Sequence, residues 1–70
     1  MKRTKINPDG FVIRVELRGM PLNSSIFVPC LNTDAARRQL RKSARLERIK
    51  LKQYVVVEQG ISGVRAWRIA

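Results

Sequence analysis

The sequence predicts a small α+β domain of β-β-α-β-β order, with one basic amphipathic helix packed on an antiparallel sheet. Three observations predict it. Apolar and polar residues alternate from Phe11 to Arg18, a run of helix formers follows Asn32-Thr33-Asp34, and the last third is rich in β-formers interrupted by Gly60 and Gly63. Residues 1–10 are set apart as a flexible basic arm and residues 11–70 as the single domain. At 70 residues a chain buries only roughly 60% of its unfolded surface, so a partner, a homodimer or nucleic acid is expected to add stability.

The arm contains Lys2, Arg3 and Lys5 and closes in a reverse turn at Asn7-Pro8-Asp9-Gly10. In the first strand Phe11, Ile13, Val15 and Leu17 share one side, while Val12, Arg14, Glu16 and Arg18 share the other. Gly19 to Asn23 turns the chain into a second strand, Ser25 to Val28, placed at an edge because Pro29 cannot donate to a central ladder. Asn32 or Thr33 can accept the free first-turn amides of a helix over 34–47, and the charge of Asp34 favours the positive helix end. A third strand is expected from Lys50 to Gln59, a hairpin loop over Gly60-Ile61-Ser62-Gly63, and a fourth strand from Val64 to Ile69.

Composition excludes several chemistries. There is no histidine, the five acids (Asp9, Glu16, Asp34, Glu47 and Glu58) are scattered, and Cys30 is the only cysteine. The commonest general base and zinc ligand are thus missing, no carboxylate pair suggests hydrolysis, and no disulfide framework exists. The expectation is a non-enzyme without cofactor or metal. A lone thiol points to a reducing compartment, the cytoplasm, and Cys30 is expected to be a small buried apolar residue. The longest apolar run, Val55 to Val57, cannot span a membrane, and no apolar stretch of signal-peptide length follows the basic start.

Fifteen Lys and Arg against five Asp and Glu give a net charge of +10, and helix geometry concentrates it. At ~100° per residue, Ala36, Gln39, Leu40, Ser43, Ala44, Leu46 and Glu47 form the inward arc. Arg37, Arg38, Arg41, Lys42, Arg45 and Arg48 form the outward one, where Asp34 is the only acid. Like charges at i,i+4, such as Arg37 with Arg41 and Arg41 with Arg45, repel by ~0.2–0.5 kcal/mol each, and a merely solvated face would intersperse acids. Arginine's planar fork grips phosphate through two parallel hydrogen bonds. Lys50 and Lys52 extend the tract, and Arg65 and Arg68 flank Trp67 in the last strand. Trp67 is expected in the core, which leaves Tyr54 as the aromatic nearer a ligand. The inward arc has no aromatic anchor for a bilayer.

The segments Ser25-Ile26-Phe27-Val28-Pro29, the helix with Ala44-Arg45, and Gly63-Val64-Arg65-Ala66-Trp67-Arg68 resemble short phage and prophage proteins of unassigned function. The resemblance covers about residues 24–69 and implies a viral origin, hence the host cytoplasm, but no activity. The Phe11–Arg18 strand departs from that pattern. The function expected is non-catalytic nucleic-acid binding, with DNA favoured over RNA. The alternative is a phage-encoded inhibitor or adaptor for an acidic surface on a host protein, such as RNA polymerase or a defence complex.

Overall fold

The computed structural model describes residues 4–70. Its elements are β1 (Thr4–Ile6), β2 (Ile13–Val15), β3 (Ser25–Pro29), α1 (Thr33–Leu46), β4 (Leu51–Glu58) and β5 (Ile61–Arg68). The strands β3, β5 and β4 form one antiparallel sheet in that order, and β1 pairs with β2 in a separate antiparallel ribbon. The molecule is therefore an α+β domain with one helix on antiparallel strands. The outer strands of the larger sheet are β3 and β4, and the edge position of β3 suits Pro29 at its end.

The helix starts and stops for identifiable reasons. The Asn32 side chain accepts a hydrogen bond from the Ala35 amide at 3.1 Å, and Asp34 lies in the first turn, where its charge meets the positive end of the helix dipole. At the other end the Ile49 amide bonds to the Ala44 carbonyl, and the Arg48 amide to that of Arg45. This is a Schellman turn, and it holds Arg48 at φ 59°, a left-handed position usually given to glycine. A cradle on the Asp9 carboxylate fixes the approach to the helix: its oxygens accept the amides of Leu31 and Asn32, both at 2.8 Å.

One core joins the layers. Cross-strand register places Ile26, Val28, Val64, Ala66 and Leu51 on one sheet face. Against it pack Ala36, Leu40 and Ala44 of α1, with Ile6, Val15, Leu17 and Met20 from the N-terminal ribbon and its following loop. Leu17, Leu40, Val28 and Val64 are sealed from solvent, each worth ~1.5–3 kcal/mol of burial. Cys30 is buried as expected; burial, then the nearby Asp9 charge, push its thiol pKa up, which keeps it in the unreactive form.

Several expectations are corrected. Lys2 and Arg3 of the proposed arm lie outside the described residues, but Thr4–Ile6 is a strand and Ile6 is core. The Asn7–Gly10 turn forms, with the Gly10 amide on the Asn7 carbonyl, and it joins β1 to β2 as a ribbon. Ile13, Val15 and Leu17 do alternate inward, yet Phe11 is 79% exposed, because Gly10 at φ 86° turns the chain immediately before it. Leu46 is 76% exposed, since the Schellman turn brings Ile49 back to close that end of the core. The expected four-residue hairpin loop is a two-residue turn of Gln59 and Gly60, both at positive φ, and Ile61 to Gly63 already belong to β5.

Trp67 is also corrected. It is 40% exposed and lies on the sheet face away from α1, because its neighbours Val64 and Ala66 take the inner positions. Helix and sheet meet there through alanines, and a tryptophan would not fit between them.

Gly63 is fixed by contact and not by turn geometry: a Cβ there would lie 2.3 Å from the Val28 carbonyl oxygen and 2.8 Å from the Phe27 ring. Gly63→Ala is accordingly expected to lower stability by about 3 kcal/mol through overpacking. Gly60→Ala, in open space but at φ 77°, should cost only ~1–2 kcal/mol. Urea melts of the two variants check the order, and an equal loss would place Gly63 in a more yielding site.

Candidate nucleic-acid interface

The molecule presents two chemically distinct outer surfaces, one on the helix and one on the sheet. Arg38, Arg41, Lys42 and Arg45 of α1 are exposed, as are Arg48 in its capping turn and Lys50, where the third strand was expected to start. Among the described residues the ion pairs are Arg18–Glu47 and Arg65–Glu58, so no carboxylate neutralises these six cations. Arg37, expected with them, is half-buried, and its Nε is buried without a partner. The Arg37 carbonyl accepts the Gln53 amide at 3.2 Å, which ties this turn of the helix to β4.

Arg41, Arg45, Arg48 and Lys50 rim a groove of about 500 Å³ between α1 and β4, floored by Ala44, Ile49, Leu51 and Ile69. No acid lines it among the described residues. Arg48 is held there by the left-handed helix cap, a backbone position that costs a non-glycine residue ~1–2 kcal/mol. An apolar floor beneath four cations suits a ligand that is anionic along one side and flat or apolar along the other.

The outer sheet face carries Phe27 of β3, Arg65 and Trp67 of β5, and Lys52 and Tyr54 of β4. Lys52 lies opposite Trp67, and Tyr54 lies opposite Arg65, so Tyr54 and Trp67 are diagonal neighbours within reach of each other. The Lys52 ammonium stands 5.7 Å from the Tyr54 ring centroid, a cation–π contact. Tyr54 is 44% exposed. With Asn23, Lys52, Arg68 and Ile69, the two aromatics line a shallow depression of about 320 Å³.

The two remaining expected contacts are already engaged. Arg65 binds both carboxylate oxygens of Glu58 at 2.5 Å, donates to Ser25 Oγ at 2.8 Å and lies over the Phe27 ring. Arg68 donates to the carbonyls of Met20 and Ala70. Both therefore brace the sheet, which leaves Arg38, Arg41, Lys42, Arg45, Arg48, Lys50 and Lys52 as the exposed cations of these two surfaces. The exposed Trp67 was missed by the sequence reading. Its signal lay in the alanine spacing of the helix, Ala36 and Ala44 about Leu40, which requires small partners such as Val64 and Ala66 on the facing strand.

Comparison with protein-family models, with curated proteins and with solved structures finds no match to this chain. Roles for individual side chains therefore rest on geometry and chemistry. Among the described residues no helix is long and apolar enough to cross a membrane.

The Arg65 hydrogen bonds, and secondarily its charge, hold the Glu58 carboxyl below the usual glutamate range against an opposing desolvation. A carboxyl with a depressed folded pKa stabilises the fold above its unfolded value, and that contribution is lost as pH falls through the folded one. Glu58→Gln should therefore flatten the acid limb of a melting-temperature profile. An unchanged acid limb would show that the pair contributes nothing to stability.

Proposed function

We propose that this protein is a non-catalytic nucleic-acid-binding domain that grips the phosphate backbone with the outer face of α1. One observation carries the reading: Arg38, Arg41, Lys42 and Arg45 of α1, with Arg48 in the turn that caps it, stand exposed with no ion-pair partner among the described residues. Their mutual repulsion opposes folding and is relieved by a polyanion. Each phosphate neutralised releases condensed counterions, and guanidinium adds paired hydrogen bonds to that gain.

Affinity should fall on the order of 10³-fold between about 50 and 200 mM salt if about six phosphates are contacted. Arg41→Glu with Arg45→Glu should abolish binding while circular dichroism stays native, because both side chains point away from the core. A flat salt dependence would remove this reading. Capture of a single host protein by the immobilised domain after nuclease treatment would instead favour an acidic protein surface as partner.

A further inference from the structure

We propose that the outer sheet face is a stacking platform for unpaired bases, so that the preferred ligand is a single-stranded nucleic acid running from the helix groove onto Trp67. The inference rests on the nucleic-acid reading above and names the form of nucleic acid.

The first support is continuity. The cationic groove beside α1 and the depression between Tyr54 and Trp67 are both lined by Ile69. The two meet around the end of the sheet where β4 begins and β5 finishes. Backbone bonds between Lys50 and Ala70, and between Ile69 and Lys50, fix that end. Lys50 rims the first depression and Lys52 the second, so a cation attends each side of the crossing. A chain with phosphates on Arg45, Arg48 and Lys50 is thereby led toward the aromatic pair.

The second support is the chemistry of the platform. Trp67 and Tyr54 each keep about two-fifths of their surface in water, on a face that no other element covers among the described residues. A base offers a flat π-surface that can stack there whatever its identity, and the neighbouring ammonium of Lys52 can meet its phosphate. A duplex hides those π-surfaces within its own stack. Among the described residues the only acid on this face is Glu58, already held by Arg65, so the field there favours an anion. A second copy of the chain would set one surface of a +10 molecule against another, which is electrostatically opposed.

The test uses Trp67 as its own reporter, since it is the only tryptophan. Titration with an oligothymidylate should quench its emission and shift the spectrum, whereas a blunt duplex of equal length should bind more weakly and leave the emission nearly unchanged. Trp67→Ala should weaken oligothymidylate binding roughly tenfold or more, Trp67→Phe should restore most of it, and duplex affinity should stay constant in both.

Salt-sensitive binding with silent Trp67 emission and no single-strand preference would overturn the platform and leave the helix reading standing. Failure to bind any nucleic acid would remove both. Emission that turns blue with rising protein concentration alone, with a doubled mass in sedimentation, would show a second copy covering the face and would also overturn the platform. The wild-type titration decides the matter even if Trp67→Ala folds poorly.

Discussion

Close approach between α1 and the central strand is the constraint on which the rest of this structure depends. Ala36 and Ala44 flank Leu40 on the helix, and Val64 and Ala66 answer from β5, all almost without solvent contact. Small side chains bring the two layers near, and the few larger ones, Leu17, Leu40 and Val28, fill what remains. Trp67 of β5 and the exposed arginines Arg38, Arg41 and Arg45 of α1 then turn outward. That single requirement exposes the arginines of α1 on one side and sends Trp67 to the other.

The acids are distributed to serve this frame. Asp9 holds the two amides that lead into the helix, Glu47 pairs with Arg18, and Glu58 pairs with Arg65. Three of the five carboxylates are thus committed to fastening one segment to another, and Asp34 sits in the first turn of the helix. Little negative charge is left to offset the outward arc of α1. The excess of cations is accordingly a property of a surface and not only of a composition, which is the condition for steering and gripping a polyanion.

Much of the fold was legible because local signals agreed with tertiary needs. Asn32 and Asp34 marked the helix start, alternation over Ile13, Val15 and Leu17 marked an inward face, and Pro29 marked an edge. The remainder depended on contacts between distant segments. Residues 4–6 look like a polar tail until β2 is present to pair with them and Ile6 finds the core. Gly63 resembles a turn residue until β3 passes against it. For Trp67, alternation put it correctly with Arg65 but could not say which of the two faces was inner. That choice was made by the size of Val64 and Ala66 relative to the helix alanines.

The same packing that made Trp67 illegible also shapes the candidate site. Among the described residues no second layer packs on the sheet face opposite the helix, so its aromatic side chains remain open. A helix alone could offer only charge, which attracts any polyanion with little discrimination. The sheet adds flat apolar surface at the end of a cationic groove, and stacking discriminates by whether a base is free of its partner. On the proposed reading, charge on one layer and π-surface on the other, joined at Ile69, would let a small domain prefer one form of nucleic acid without reading its sequence.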